Sequence, residues 1–271
     1  IEEATLKIMV GPQKKSMKIK PEEKRKTAYH EAGHAILAYL LPSVDPVTQI
    51  SVIPSGRALG YTLTPPTEDK YSVYRNGMKD EITMLLGGRV AEKIIFDDIS
   101  GGASNDIERA TKIAKNMVTK LGMSDKLGPI VFGSGGSRDE VFLGRDFSNS
   151  RDYSESIATQ IDEEIHAIIH EAYEKAEKLL RENIDKMHFI AEYLCKHETM
   201  DDKQFETAMK EAEPTEEMLV AIEEERAAKR REENEKRAKE EEELRRKEAE
   251  KSGEATDKKS DDSSDNNDDL P

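Results

Sequence analysis

The sequence predicts a mainly α-helical protein with a small β element and a disordered, charged C-terminal tail. Apolar residues recur at helical spacing along most of the chain, whereas two short β-rich runs are confined to residues 47–64. Of the 271 residues 37% are charged, well above the roughly 25% of ordinary soluble domains. Because this excess is concentrated beyond residue 220, the preceding part still holds enough apolar side chains for one sizeable domain or two small ones.

The first predicted helix spans residues 21–41 and contains two of the six histidines of the chain. Pro21 suits the first helical position, and Glu22 and Glu23 favour the positive end of the helix dipole. Pro42 cannot continue the helix and therefore ends it.

Residues 47–64 contain two β-rich runs around the turn sequence PSGRALG, which predicts a hairpin or a short sheet. Helical spacing returns over residues 71–96. Gly87 and Gly88 interrupt this helical pattern, and such a pair indicates close packing against another helix.

The next predicted helix follows a turn formed by Gly101 and Gly102, with Ser104 or Asn105 as its N-cap. The glycine-rich residues 128–144 predict a mobile loop with two β-like flanks. Three further helices are predicted at residues 152–181, 183–196 and 201–212.

The C-terminal segments are too polar to form a core. Most of residues 221–250 are Glu, Lys or Arg, which predicts a solvated helix held by ion pairs between successive turns. Residues 251–271 are mostly Ser, Asp, Asn and Lys, which predicts a disordered acidic tail. This tail and the net charge of −15 argue against non-specific binding to nucleic acid.

The composition also indicates a cellular compartment. Cys195 is the only cysteine, so the chain has no internal disulfide, which suits a reducing environment. No run approaches the roughly 20 apolar residues of a membrane span, and no signal peptide opens the chain. The sequence as given is therefore predicted to be soluble and of cytoplasmic type.

The stretch TAYHEAGHAI, residues 27–36, contains the pattern H-E-x-x-H. On a helix His30 and His34 share one face, where two imidazoles can occupy adjacent vertices of a tetrahedral zinc site. Glu31 is rotated by about 100° and can act as general base on a zinc-activated water without binding the metal. The flanking residues are small and apolar, so the histidines are expected to be partly buried and to need partners. We therefore expect one zinc ion per chain and a hydrolytic reaction.

A catalytic zinc site requires a third protein ligand. The longer pattern H-E-x-x-H-x-x-G-x-x-H is excluded, because Leu37 and Leu40 occupy its glycine and third histidine positions. Glu81, Glu92 and Asp106 remain candidates. Asp106 is favoured, because its helical spacing to apolar residues places it on the interior side of its helix, where an unpartnered carboxylate is costly.

Four blocks of the sequence carry a family resemblance: YHEAGHA, GRALGYT, LLGGRVAEKIIF and SGGASNDIERAT. In this order they closely resemble the protease domain of the FtsH family of membrane-bound, ATP-dependent zinc metalloproteases. The resemblance implies that His30, His34 and Asp106 hold the zinc ion. It also implies that Glu31 is the catalytic base and that Glu92 steadies a ligand histidine.

The resemblance further implies a domain organisation. Family members carry transmembrane helices and an AAA+ ATPase module before the protease domain, and the phosphate-binding pattern G-x-x-x-x-G-K-[ST] does not occur here. The chain is accordingly interpreted as a C-terminal fragment. Its predicted segments are a remnant of the ATPase domain at 1–10, a zinc metalloprotease domain at 11–215, a charged helical extension at 216–250 and the acidic tail at 251–271.

The activity that the resemblance implies is a zinc-dependent endopeptidase that degrades unfolded or membrane-delivered proteins as a homo-hexamer. The parent protein is expected at the cytoplasmic face of the cell membrane, anchored there and joined to its ATPase module. An extended substrate is expected to pair with an exposed strand edge in residues 47–53, because β-augmentation reads backbone rather than side chains.

Two other functions fit the motif alone. A helical ring-assembly or interaction module would hold a structural zinc, but such a site is closed by a fourth protein ligand, and the free Glu31 argues against it. A metallohydrolase acting on small molecules shares the motif, and the resemblance disfavours it. His166 and His170 repeat the four-residue spacing without a following glutamate, and we interpret their helix as solvated.

Overall fold

The computed structural model describes residues 11, 12, 14, 19–56, 58–68, 72–133 and 153–257, and for residues 239–257 it describes the backbone alone. The described residues up to Glu216 form one compact unit, and those from Glu217 form a second. Helices dominate and one small sheet accompanies them, which confirms the predicted fold class. The ATPase remnant predicted at 1–10 lies outside the described residues.

The helices lie where the sequence predicted them, with ends that differ by a few residues. The elements in chain order are helix α1 (Pro21–Leu40), strand β1 (Gln49–Ser51), strand β2 (Tyr61–Leu63), helix α2 (Arg75–Phe96), a 3₁₀ turn (Gly101–Ala103), helix α3 (Ser104–Thr119), helix α4 (Glu155–Glu182), helix α5 (Ile184–His197), strand β3 (Thr199–Asp201), helix α6 (Asp202–Lys210) and helix α7 (Glu216–Asp257).

Helices α1 and α2 form the centre of the first unit. Helix α1 packs against α2 and α5, and α2 also packs against α3 and α4. Most of α1 is therefore buried, from Thr27 to Ala38 with the exception of His30, which is half-buried. The histidine motif thus lies inside the helical layer rather than on a solvated surface.

The two central helices approach each other closely at Gly33 and Gly87. A Cβ atom on Gly33 would lie 2.5 Å from the carbonyl oxygen of Gly87, and one on Gly87 would lie 2.9 Å from that of Gly33. Any side chain at either position would push the helices apart. The expected close packing at this glycine pair is confirmed, and its partner is the helix that carries the histidines.

The sheet has the strand order β2-β1-β3, and both pairings are antiparallel. Ile50 of β1 lies opposite Thr62 of β2 on one side and opposite Met200 of β3 on the other. The prediction of an exposed strand edge in residues 47–53 is wrong, because β1 is the central strand and is paired on both sides. Strand β3 was not predicted from the sequence, since its three residues lie between two helices.

The N-cap predicted for α3 is also corrected. Ser104 is the first residue of the helix, and no side chain caps the N-terminus at Ala103. Instead the Ser100 hydroxyl oxygen accepts the N–H of Gly102 at 3.1 Å and caps the 3₁₀ turn that leads into α3. No strand occurs in residues 128–133. The remainder of the predicted glycine-rich loop, from residue 134, lies outside the described residues.

Within the described residues, the second unit consists of helix α7 from Glu217 onward. This helix contains the predicted charged extension and continues past residue 250 to Asp257. Lys229 and Glu225 form an ion pair one turn apart on it, at 2.5 Å. Residues 258–271 lie outside the described residues, so the disorder of the acidic tail stays a prediction. No helix in the part of the chain that the structure describes combines the length and apolarity of a membrane span.

Candidate metal centre and active site

Three side chains are brought together between α1 and the start of α3. Among the residues that the structure describes, His30, His34 and Asp106 form the group whose ligand atoms could share a metal ion, all within 4.8 Å of one another. The two Nε2 atoms are 3.1 Å apart, and Asp106 Oδ2 lies 3.6 Å from each of them. Two imidazole nitrogens and one carboxylate oxygen are a donor set typical of catalytic zinc.

The Nδ1 atom of each histidine makes a hydrogen bond to a residue outside the cluster. His30 Nδ1 lies 2.8 Å from Glu92 Oε1, and His34 Nδ1 lies 2.8 Å from the carbonyl oxygen of Met84. A carbonyl and a carboxylate can only accept, so each Nδ1 carries the hydrogen of its contact. Because Nδ1 of each ring is engaged in this way, Nε2 is the atom that faces the other ring and Asp106. A cation between these three atoms would be stabilised, so the residues fit a zinc ion.

The electrostatics of the cluster point the same way. Burial on its own would lower the pKa of His30, but the carboxylates of Asp106, Glu92 and Glu31 outweigh it and raise that pKa to about 10. Burial would raise the pKa of Asp106, but the two imidazoles hold it below its usual range. The protein therefore concentrates negative charge around the two Nε2 atoms, where a proton or a metal cation is stabilised.

Glu92 lies on the opposite side of His30 from Asp106. Its Oε1 atom accepts from His30 Nδ1 and, at 2.9 Å, from the Ser100 hydroxyl, while its Oε2 atom accepts the Ser100 N–H at 2.7 Å. Burial would raise the pKa of Glu92, but these three hydrogen bonds lower it to about 2. Glu92 is therefore an ionised support for the histidine and does not face the ligand atoms. Glu81 is not part of the cluster.

Two residues of this network were not identified from the sequence. Ser100 satisfies both oxygens of Glu92. It is the first residue of the block SGGASNDIERAT, but nothing in that block indicated the contact, because the contact depends on how the 3₁₀ turn folds back on α2. Gly88 provides the space for the imidazole of His30, since a Cβ atom there would lie 2.4 Å from Cε1 and Nε2 of that ring. The sequence indicated close packing at Gly88, but not that a histidine side chain was the neighbour.

Glu31 lies beside the cluster and faces strand β2. Its side chain is buried, and Thr62 Oγ1 donates to Glu31 Oε2 at 2.8 Å and lies 3.1 Å from its carbonyl oxygen. Burial raises the pKa of Glu31, while His34, His30 and the Thr62 hydroxyl act in the opposite direction. A carboxyl group with a raised pKa, next to a metal-type cluster but outside it, can take up and return a proton.

The second histidine pair is placed differently. The His166 and His170 ring centroids are 6.1 Å apart on α4, and His170 lies 3.4 Å from Glu174 with 62% of its side chain exposed. Among the described residues, neither histidine belongs to a group of side chains that could hold a metal ion. We therefore keep the interpretation that they lie on a solvated helix face.

The sequence profile of peptidase family M41 matches residues 17–208. The chain is 55% identical over 206 residues to the ATP-dependent zinc metalloprotease FtsH 2 of Alkaliphilus metalliredigens (strain QYMF), covering 76% of this chain and 30% of the relative. It is 52% identical over 206 residues to FtsH 1 of Thermoanaerobacter sp. (strain X514), covering 76% and 33%. It is 47% identical over 211 residues to FtsH of Thermotoga maritima, covering 78% and 34%. The chain therefore spans about a third of the length of these relatives.

Proposed function

The chain belongs to peptidase family M41, and from this we propose that it is the protease domain of an ATP-dependent zinc metalloprotease of the FtsH type, the family that the four sequence blocks resemble. It acts as a zinc-dependent endopeptidase with one zinc ion per chain, held by His30, His34 and Asp106. The observation that carries the proposal is the convergence of two Nε2 lone pairs and one carboxylate beside the buried Glu31.

Zinc, when bound, supplies a Lewis acid that makes water a sufficiently strong nucleophile at neutral pH. Glu31 accepts the proton of the attacking water and later delivers it to the leaving amine of the cleaved peptide bond. Its burial supports this double role, because burial raises the pKa of the Glu31 carboxyl group and so makes it a better proton acceptor than an exposed glutamate. Glu92 and the Met84 carbonyl keep the ligand histidines in the tautomer that leaves Nε2 free.

The substrate is an extended, unfolded polypeptide. Strand β2 lies at one edge of the sheet, and Thr62 in that strand contacts Glu31. A peptide added to the sheet at β2 would therefore pass close to the catalytic base, whereas the central strand β1 has no edge to offer. Pairing through the backbone reads little side-chain identity, which suits a degradative protease with loose sequence preference.

The remaining functions belong to a protein longer than this chain, since the relatives are about three times as long. We infer that this protease domain belongs to a membrane-anchored parent protein at the cytoplasmic face of the cell membrane. That parent protein forms a homo-hexamer, in which an ATPase module unfolds substrate proteins and delivers them to the protease domain. Unfolded and membrane-delivered proteins are then the substrates.

The test compares zinc content and casein cleavage in the unsubstituted 271-residue chain, called the parent chain below, and in its variants Glu31→Gln and Asp106→Ala. Glu31→Gln is expected to keep about one zinc per chain and to lose cleavage, because only the proton transfer is removed. Asp106→Ala is expected to lose both. Cleavage by Glu31→Gln would overturn the assignment of Glu31 as the catalytic base. A zinc-loaded, unmodified chain that does not cleave casein would favour a structural zinc in an interaction module. Retained zinc in Asp106→Ala would place the third ligand elsewhere.

A further inference from the structure

We propose that Thr62 is a positioning residue, whose hydroxyl group holds the Glu31 carboxylate in the orientation from which it acts as a base. The inference rests on the proposed function of Glu31. Among the residues that the structure describes, Thr62 is the side chain that donates a hydrogen bond to this carboxylate, at 2.8 Å from Oε2. Thr62 belongs to the sheet rather than to the helices that carry the predicted metal ligands.

The Thr62 hydroxyl has one hydrogen and two acceptors within reach, both on the same residue. Oε2 of Glu31 is at 2.8 Å and the carbonyl oxygen of Glu31 is at 3.1 Å. The shorter contact is to the carboxylate oxygen, which is the stronger acceptor when Glu31 is ionised to act as a base. A hydroxyl held between the main chain and the side chain of one residue restricts the terminal torsion of that carboxylate, which is otherwise broad.

The close approach of β2 to Glu31 depends on Gly60, the residue immediately before the strand. A Cβ atom on Gly60 would lie 2.7 Å from Thr27 Cγ2, 2.8 Å from the carbonyl oxygen of Ser51 and 3.0 Å from Glu31 Cγ. Only a residue without a side chain lets the strand come this close to α1. The block GRALGYT therefore contains both the residue that allows the approach and the residue that makes the contact.

The pairing register fixes which face of β2 meets the base. Thr62 lies opposite Ile50, which is fully buried. A slip of β2 by one residue would turn Thr62 to the other face of the sheet, away from Glu31. Cross-strand partners share a face, so the register that pairs Thr62 with the buried Ile50 keeps the hydroxyl directed at Glu31. Because β2 is also the edge at which a substrate is proposed to pair, one strand both receives the peptide and aligns the base.

The experiment compares Thr62→Val, which keeps the shape and removes the hydroxyl, with Thr62→Ser, which keeps the hydroxyl. Thr48→Val is the matched control, because the Thr48 hydroxyl donates to the carbonyl oxygen of Leu63 in the same sheet at 3.1 Å and has no bond to Glu31. Cleavage of an unstructured fluorogenic peptide by the 271-residue chain gives kcat and KM. Zinc content and crystal structures of the variants give the state of the site.

Thr62→Val is expected to lower kcat about ten- to a hundred-fold, the size of effect that a displacement near 1 Å produces. Its KM and zinc content are expected to stay near those of the parent, and its Glu31 carboxylate to be displaced. Thr62→Ser is expected to recover most of kcat, and Thr48→Val to leave kcat within two-fold. If Thr62→Val does not fold, Thr62→Ala provides the same comparison without a methyl group at the hydroxyl position.

The inference is overturned if Thr62→Val keeps both kcat and the orientation of Glu31. It is also overturned if Thr62→Ser fails to recover kcat or if Thr48→Val is equally impaired, since sheet stability would then explain the loss. If the zinc-loaded parent chain does not cleave the peptide at all, the proposed function of this chain fails. The orientation of Glu31 in the crystal structures then decides the positioning role of Thr62 on its own.

Discussion

Gly88 allows the predicted ligand His30 to be tested without removing any functional group. In Gly88→Ala the new Cβ atom would lie 2.4 Å from Cε1 and Nε2 of the His30 ring and 2.6 Å from Cδ2. Carbon atoms in contact prefer about 3.5–4.0 Å, so the ring has to move by about 1 Å or more. That movement breaks the 2.8 Å contact with Glu92 and takes Nε2 out of the cluster with His34 and Asp106.

The size of the effect follows from what the ring loses. Loss of a supporting hydrogen bond alone typically costs ten- to a hundred-fold in metal affinity. Because the ligand atom is displaced as well, we expect the zinc Kd of Gly88→Ala to rise at least about a hundred-fold, or about 2.7 kcal/mol. The fold is expected to survive, since alanine stabilises a helix by about 1 kcal/mol relative to glycine, which offsets part of the strain.

The assay is competition for zinc against a chelator of known affinity, followed by peptide cleavage at saturating zinc. Gly77→Ala in the same helix is the matched control, because its Cβ atom would meet only Ser43 Cβ, at an ordinary 3.6 Å. The control should bind zinc as the parent does. If Gly88→Ala is folded and its zinc Kd stays within about three-fold of the Kd of the parent chain, His30, whose ring packs against Gly88, is not a zinc ligand.

Three further outcomes are expected. Gly33→Ala should lower the free energy of unfolding by about 2 kcal/mol or more in urea titrations, because its Cβ atom meets backbone of Gly87 that cannot rotate away; an unchanged midpoint would contradict the close helix contact. Lys175→Met should cost about 1–3 kcal/mol, because it leaves the buried Asp80 carboxylate without its 2.7 Å partner. The exposed ion pair of Lys79 provides the control, because Lys79→Met should lower the free energy of unfolding by no more than about 1 kcal/mol. Zinc at a hundred times its Kd should stabilise the parent chain by about 2.7 kcal/mol and raise its Tm, so a Tm that chelation leaves unchanged would argue against a folded-state zinc site.

The parts of the fold that were predictable depend on local sequence. The ends of α1 follow from Pro21 and Pro42, and the shared face of His30 and His34 follows from the helical repeat alone. Strand β3 was not predictable, because three residues between two helices form a strand only when a distant strand is present to pair with them.

The site shows the same division between local and tertiary information. The helical repeat predicted that Glu31 lies off the face that carries His30 and His34. In the structure Glu31 is likewise not part of the group that could share a metal ion. Spacing favoured Asp106 over Glu92 as the third ligand but did not decide between them, because both carboxylates reach His30 and only packing determines which ring nitrogen each one meets. The Thr62 contact likewise depends on a sheet that folds back over α1, and no residue pattern within β2 predicts it.

The pairing of β1 with β3 also bears on how the chain is made. Strands β1 and β2 are close in sequence and can form a hairpin soon after they leave the ribosome, whereas β3 is synthesised only after α2, α3, α4 and α5. Until then the second edge of β1 is open, and an open strand edge invites pairing with other chains. A nascent or prematurely terminated chain that ends before residue 199 therefore already contains every proposed catalytic residue, but lacks the strand that closes the sheet beside the base. The late synthesis of β3 thus leaves the open edge of β1 as a place where an incomplete chain can pair with other chains.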